Sequence, residues 1–321
     1  MSAPVGLVFN PRSHTVKRKG SLLEGAAPGI PGAHLVRVED FSKLGEQMTA
    51  LANAGAKQVF VEGGDGTLQA VLTACCALQA KFHGLPEFAI LPGGSTNLAY
   101  KVCGLRLHDP DQIAHYIARL RRDSAAVDRV HQPALRIESA ALATPAIGML
   151  LSTGALARLM LYAQREFLGD GDRGSRAVGE AAMRFLLSPE SYLDEDGQPL
   201  LRGTPLLASC NEFRLQGAHA MSLMTTLPSL SLRLRPFWGE GSAPIAVTHA
   251  SWPIHGLRTA FIKIIAGWTG PQMVRHGLTS YRTDGVEITY TGAVVLDGEL
   301  LPAPLDGRIR IGVSQPISFL R

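Results

Sequence analysis

The chain has 321 residues, 46% of them hydrophobic and 18% charged, with a net charge of +4 and a pI near 9.0. This is ordinary globular usage over a length that can bury a large core and hold two domains, so disordered, collagen-like and disulfide-scaffold classes are excluded. The cysteines Cys75, Cys76, Cys103 and Cys210 have neither CxxC nor metal-ligand spacing and read as buried thiols. No basic-then-apolar leader precedes the first apolar run, and no run reaches the ~18 residues of a membrane-spanning helix, so a cytoplasmic compartment is expected.

The run at 5–9 reads as a strand leading into Asn10-Pro11-Arg12-Ser13. That turn offers amide and hydroxyl groups to a nucleotide, and Arg12 could balance phosphate charge. A helix is expected over 41–53. The β-branched run at 58–61 predicts a second strand, followed by Glu62-Gly63-Gly64-Asp65-Gly66-Thr67 and a Leu- and Ala-rich helix over 68–80. At such a junction glycine permits positive φ and close approach of a ligand, while the first amides of the helix attract phosphate oxygens. Asp65 would be repelled by polyphosphate unless a cation or a hydroxyl proton lies between them, which implies Mg²⁺ or a proton-accepting role.

The layout repeats at 88–91, a third strand, followed by Pro92-Gly93-Gly94-Ser95-Thr96-Asn97 and a helix from Leu98, with a cap available at Ser95, Thr96 or Asn97. In an open α/β sheet ligands bind beyond the carboxyl ends of the strands, so the three loops can serve one crevice. Another helix is expected over 111–121. After Asp128 the pattern changes to short segments at 134–137, 206–208 and 231–234, which read as strands of a largely β domain. Helical stretches near 154–167 and 176–187 interrupt it. In the first of these Leu156, Leu159, Met160, Ala163 and Phe167 share one face, as core or as the lining of an acyl-chain cavity, with Arg158, Gln164 and Arg165 on others.

The mild positive charge favours approach to an anionic membrane face, and basic residues cluster at Arg12, Lys17, Arg18 and Lys19 and at Arg119, Arg121 and Arg122. Either cluster could equally be ordinary solvated surface. Nucleic acid is not expected as a partner, because zinc-finger spacing, a helix-turn-helix signature and aromatic stacking motifs are all missing.

Taken together, these motifs resemble the diacylglycerol kinase catalytic domain family, which includes sphingosine kinases, ceramide kinases and bacterial lipid kinases. Asn10-Pro11-Arg12-Ser13 is similar to the family's Asn-Pro-x-Ser-Gly opening, Gly63-Gly64-Asp65-Gly66-Thr67 to its nucleotide loop, and Gly94-Ser95-Thr96-Asn97 to its Gly-Thr-x-Asn-Asp stretch. Val127-Asp128-Arg129-Val130 resembles its following acidic segment, and Leu296-Asp297-Gly298-Glu299 its terminal Asp-Gly-Glu. The chain departs from the pattern at His14, where the family has glycine, and at Leu98, where it has an acid. It also lacks an Asp-Asp-Gly-Leu-Leu-Asp segment, which several members use for a structural Mg²⁺; the nearest candidate is 236–241.

The resemblance implies an α/β + β fold class. An open α/β nucleotide-binding domain would span 1–129, with 312–321 returning to it, and an antiparallel β-sandwich domain carrying the lipid site would span 130–311. It implies an ATP-dependent lipid kinase using Mg²⁺, acting on diacylglycerol, ceramide, a sphingoid base or a monoacylglycerol during transient contact with the inner membrane face. Gly63, Gly64, Gly66 and Thr67 would cradle phosphates, with Gly94, Ser95, Thr96 and Asn97 completing the pocket. Asn10, Arg12 and Ser13 would contact the nucleotide, and Arg176 and Arg184 the phosphates. Asp65 and Asp128 would organise Mg²⁺ through water. The bacterial kinases point to Asp297, assisted by Glu299, as proton acceptor, whereas the sphingosine kinases point to Asp65. From spacing alone Asp297-Gly298 would be an ordinary hairpin turn. A soluble-substrate kinase of the NAD kinase type, a non-catalytic lipid- or nucleotide-binding relative, and a homodimer stay open.

Overall fold

Strand β1 (Val5–Phe9) is buried along its whole length, as a strand covered on both faces must be. A computed structural model of the chain describes residues 4–94, 96–168, 184–185, 188–230, 234 and 236–321. The chain divides into two units, Met1–Ala134 with Ala146–Gly148 and Ser314–Arg321, and Leu135–Pro145 with Met149–Val313.

In the first unit β1 is followed by helices α1 (His14–Lys19) and α2 (Leu22–Ala26), strand β2 (Ala33–Arg37), helix α3 (Leu44–Asn53), strand β3 (Gln58–Gly63), helix α4 (Asp65–Ala77) and strand β4 (Glu87–Pro92). Helices α5 (Leu98–Cys103) and α6 (Pro110–Arg122) and strand β5 (Arg129–Gln132) complete the run. The sheet order is β2-β1-β3-β4, then the C-terminal strand Ile317–Leu320, then β5. The first five strands of that order are parallel, while β5 lies antiparallel to Ile317–Leu320. One core cluster joins Leu7, Phe9, Phe60, Ala89, Leu91 and Leu320 of the sheet to Leu23 of α2 and to Ile113, Ile117 and Leu120 of α6.

Local chemistry sets these elements. Asp109 caps α6 by accepting from the Asp111 and Gln112 amides at 2.8 and 3.3 Å, Pro110 opens the helix, and Ile113, Ile117 and Leu120 form its buried stripe. Arg119, Arg121 and Arg122 occupy its last turn, where they complement the helix dipole. Glu62, buried at the end of β3, caps α2: its carboxylate accepts from the Ser21 hydroxyl at 2.6 Å and from the Leu22 and Leu23 amides at 3.0 and 3.1 Å. Helix α4 begins at Asp65 rather than at 68, because Gly64 takes the N-cap position in extended conformation.

The second unit is antiparallel and β-rich. Its strands are β6 (Leu135–Ser139), β8 (Leu150–Thr153), β9 (Thr204–Ser209), β10 (Arg214–Thr225), β11 (Ile245–Ser251), β12 (Leu278–Thr283), β13 (Val286–Thr289), β14 (Val294–Leu296), β15 (Glu299–Leu300) and β16 (Arg308–Val313); the short β7 (Ala146–Gly148) belongs to the first unit. The order is β15-β14-β8-β10-β9-β13-β16-β6, with β11 on β10 and β12 on β11. Helices α7 (Gly154–Leu168) and α8 (Leu257–Ile265) lie in this unit. Most of the predicted helix over 176–187 and most of the segment 231–234 lie outside the described residues.

One feature of α7 corrects the helical-wheel reading. Arg158 is 8% exposed; its Nε donates to the Leu200 carbonyl at 2.7 Å and an Nη to the Arg202 carbonyl at 3.2 Å. The carbonyls replace water, so the charge faces inward, and burial pulls the guanidinium below its usual pKa. Leu156, Leu159 and Met160 are only half-buried.

Replacing Glu62 by Ala orphans the buried Leu23 amide, the part-buried Leu22 amide and the Ser21 hydroxyl, and should destabilise the chain by about 3 kcal/mol in urea unfolding, against about 1 kcal/mol for Ser21→Ala. Equal losses would show that Glu62 does not hold α2.

Candidate functional site

Strands β1, β3 and β4 are neighbours and parallel, so the three polar loops leave the same edge of the sheet. They are stitched to one another. The Asn10 amide N–H donates to the Glu62 carbonyl at 3.0 Å and its Nδ2 to Thr67 Oγ1 at 3.0 Å, joining the first loop to the second. The Gly93 N–H donates to the Gly63 carbonyl at 3.0 Å, joining the second to the third, and the Thr15 N–H donates to the Gly93 carbonyl at 2.8 Å, joining the first to the third. Asn10, Ser13 and Thr67 are buried by these contacts, while Arg12 and Thr96 are exposed and Gly66 and Asn97 half-buried.

The glycines are there for close approach rather than for left-handed backbone. None of Gly63, Gly64, Gly66, Gly93 and Gly94 has a positive φ, so of the two freedoms glycine offers here close approach is the one used. A Cβ on Gly93 would stand 2.6 Å from the Gly63 backbone, and one on Gly94 2.5 Å from the Gly64 Cα. Main chain therefore packs on main chain. The left-handed residue is Asn97, φ 49°, whose Oδ1 accepts from the Gly94 N–H at 2.9 Å and whose Nδ2 donates to the Gly94 carbonyl at 2.7 Å. Its side chain staples the loop ahead of α5.

Asp65 opens α4, yet its Oδ1 accepts from the Ala99 N–H of α5 at 3.2 Å. Burial pushes its carboxyl above the usual carboxylate range, outweighing the amides of Leu98, Ala99 and Asn97 and the charge of Lys101, which act to lower it. A half-buried, proton-avid carboxyl thus stands beside the first amides of α4, those of Asp65, Gly66 and Thr67, which a helix cannot satisfy internally. The Asp40 carboxyl is held low chiefly by Ser42, with the Arg12 charge the smallest contributor. Asp128 is exposed, two strands away from β4, with its carbonyl accepting from the Arg321 N–H at 2.9 Å. Among the described residues no three His, Cys, Asp or Glu side chains gather as metal ligands. A magnesium ion can be held with fewer: one carboxylate, water and substrate phosphate oxygens suffice, and the hard oxygen of Asp65 suits that set.

In the second unit Asp297 and Gly298 form the two-residue turn between β14 and β15, with Leu296 paired to Glu299 and both turn residues at positive φ, 50° and 93°. The Asp297 carboxylate grips the chain before β8: Oδ2 accepts from the Met149 N–H at 2.8 Å and Oδ1 from the Leu150 N–H at 2.9 Å. Gln164 of α7 donates to the Gly298 carbonyl at 2.6 Å, and Glu299 is exposed. Arg184 is exposed; Ser95 and Arg176 lie outside the described residues.

The sequence reading missed a buried polar cluster in this unit. His219 bridges Thr153 Oγ1, at 3.1 Å from Nε2, and Thr204 Oγ1, at 3.2 Å from Nδ1. His249 Nδ1 pairs with Ser222 Oγ at 3.0 Å, the two imidazoles stack at 5.9 Å, and the Tyr290 ring meets His219 edge-on at 4.9 Å. Its members come from β8, β9, β10 and β11 and from the residue after β13, so only strand pairing makes the cluster legible. A cavity of about 60 Å³ beside His249 and Ser251, also lined by Leu206 and Leu215, has room for a water or two rather than for an acyl chain.

Residues 4–130 match the sequence model of the diacylglycerol kinase catalytic domain. Over those residues, fewer than half of the chain, the sequence is similar to that family. A diacylglycerol kinase from Bacillus anthracis str. Sterne is similar over 99% of this chain and 96% of its own, with a TM-score of 0.60 at 13% identity. Two further solved structures from the same organism, assigned to that activity only provisionally, give TM-scores of 0.64 at 14% and 12% identity over the same shares. At such identity the likeness establishes the fold: a mixed α/β domain with a parallel sheet followed by an antiparallel β-rich region. No curated protein matches the sequence. Among the described residues no helix is long and apolar enough to cross a membrane.

Gly93→Ala, which drives a Cβ into the Gly63 backbone, should lower the melting temperature much more than Gly64→Ala, whose Cβ meets the Gly94 Cα at a tolerable 3.4 Å. Calorimetry of the two variants decides it.

A pH effect follows from the histidine cluster. Burial, then the charge of His219, pushes His249 down to about 4 from 6.5, and His219 is lowered by burial as well. The unfolded chain therefore binds protons that the fold refuses. The contribution is full above pH 6.5 and is lost as pH falls toward 4, about 3 kcal/mol at most for His249. Melting temperatures should fall between about pH 7 and about pH 5, and less steeply in His249→Gln. An identical slope in both would remove His249 as the cause.

Proposed function

We propose that this protein is a lipid kinase that transfers the γ-phosphoryl group of ATP to a lipid hydroxyl. The observation that carries the reading is the interlocked trio of loops in a stretch similar to the diacylglycerol kinase catalytic domain, with Asp65 set beside the open amides at the start of α4. Reactions of this type ask the protein mainly to position reactants and neutralise charge. The amides of Asp65, Gly66 and Thr67 would hold phosphate oxygens. Asn10 would orient Thr67 at that site, Arg12 would offset phosphate charge, and Gly94, Thr96 and Asn97 would line the pocket. Mg²⁺, held by Asp65 and by Asp128 through water, would supply further neutralisation of phosphate charge.

Of the two acids offered as proton acceptor, Asp65 is the better suited. A base works best when its pKa lies toward the working pH, and burial moves Asp65 in that direction so long as Mg²⁺ sits on phosphate oxygens and water rather than directly on this carboxylate. Asp297 spends both carboxylate oxygens on backbone amides, which makes it a positioning residue for β8 and for the turn that presents Glu299. The acceptor would be diacylglycerol, ceramide, a sphingoid base or a monoacylglycerol, met at the inner membrane face.

Incubation with labelled ATP, Mg²⁺ and a panel of these lipids, read by mass spectrometry, tests the activity, with NAD as the soluble comparison. ATP binding without turnover would favour a non-catalytic relative, and phosphorylated NAD a soluble-substrate kinase. Asp65→Asn should cut kcat at least about 100-fold with an unchanged melting temperature, and it should abolish an acid limb in the pH–rate profile that lies above the usual carboxylate range. Asp297→Asn should lower stability by about 1–3 kcal/mol together with activity, since an amide NH₂ would face a backbone N–H. Loss of turnover at full stability in Asp297→Asn would return the proton to Asp297.

A further inference from the structure

Helix α8 has two apolar faces. The inner one is accounted for: Ala260 and Ile264 join Ala220, Ala250, Met273 and Leu278 in a core cluster of the second unit. The outer one is not, because Ile262 is 61% and Ile265 51% exposed. An ordinary surface helix places charge or hydroxyls there.

The apolar surface continues beyond the helix. Gly267, at φ 72°, ends α8 in a Schellman turn in which its N–H donates to the Ile264 carbonyl at 3.2 Å and the Trp268 N–H to the Lys263 carbonyl at 2.8 Å. Trp268, so fixed, is 69% exposed, and Val274 of the following 3₁₀ helix, Pro271–His276, is 59% exposed. Trp252, ahead of α8, is 40% exposed. Half of the exposed large apolar side chains among the described residues thus fall between 252 and 274. The segment is no loose flap: Met273 is fully buried, His276 Nδ1 meets the His255 carbonyl at 2.7 Å, and Lys263 Nζ lies 3.3 Å from His276 Nε2.

Charge decides what covers this surface. From 241 to 283 the chain has no Asp or Glu, while Arg258, Lys263 and Arg275 stand among the exposed apolar residues. Aliphatic side chains flanked by tryptophans and cations, on a short helix that cannot span a bilayer, match the pattern of an element lying in the headgroup boundary. We propose that the segment 252–276 docks this protein on the surface of a bilayer containing anionic lipid, with Ile262, Ile265 and Trp268 entering the headgroup–acyl boundary and Arg258, Lys263 and Arg275 meeting lipid phosphates.

The proposal stands apart from phosphoryl transfer, because binding is read without turnover. The full chain is co-sedimented with vesicles of phosphatidylcholine alone or of equal parts phosphatidylcholine and phosphatidylglycerol, with tryptophan emission followed in parallel. Binding should require the anionic lipid and shift the emission to the blue. Ile262→Ser combined with Trp268→Ser should weaken it about tenfold or more at an unchanged melting temperature. Leu305→Ser, at a fully exposed site elsewhere, should leave it intact. Arg258→Ala with Arg275→Ala should weaken binding and its dependence on phosphatidylglycerol. No binding by the parent chain, or equal binding by the Ile262/Trp268 double variant, overturns the proposal. So does a dimer in solution that the double variant dissolves while the parent ignores vesicles, which would assign the face to a second copy of the chain.

Discussion

Main-chain contact between Gly63–Gly64 and Gly93–Gly94 is the constraint from which the rest of the first unit's site follows. With no Cβ between them, the ends of β3 and β4 close on one another, and that closure carries the start of α5 to Asp65 and the Gly93 carbonyl to Thr15. Any side chain at Gly93 would wedge the loops apart. Gly63 and Gly64, packed in this way, directly precede the open amides of Asp65, Gly66 and Thr67, so packing constrains the candidate site.

Two acids that look alike in a motif have different surroundings. Asp65 is driven toward its protonated form by burial, and its bonded oxygen steadies the next helix. Asp297 is held at both oxygens by the chain it anchors. The contrast rests on burial, which at Asp65 outweighs the amides of Leu98, Ala99 and Asn97, and on the Met149 and Leu150 amides, which occupy both oxygens of Asp297.

The parallel strands were legible in the sequence because burial on both faces leaves continuous apolar runs at 5–9, 58–61 and 88–91, and the loops after them carry glycine or asparagine. Legibility ended where long-range partners decide. Arg158 reads as solvent-facing until the carbonyls of Leu200 and Arg202 are placed beside it. The capping role of Glu62 depends on α2, too short to announce itself. Helix α8 was absent from the sequence reading because it is only 9 residues long and opens on Gly256, which offers no capping side chain. Of the two freedoms that glycine offers in the loop, positive φ and close approach, only long-range packing selects the second.

Strand Ile317–Leu320 has an implication for the order in which the molecule can be made. Among the described residues it is the one strand through which β5 joins the sheet, lying between β4 and β5. A nascent chain that has emerged as far as Gln132 holds nearly all of the first unit, but must leave one edge of its sheet unpaired while the whole second unit is synthesised. This sheet is thus completed by residues about 190 positions after the strand they secure.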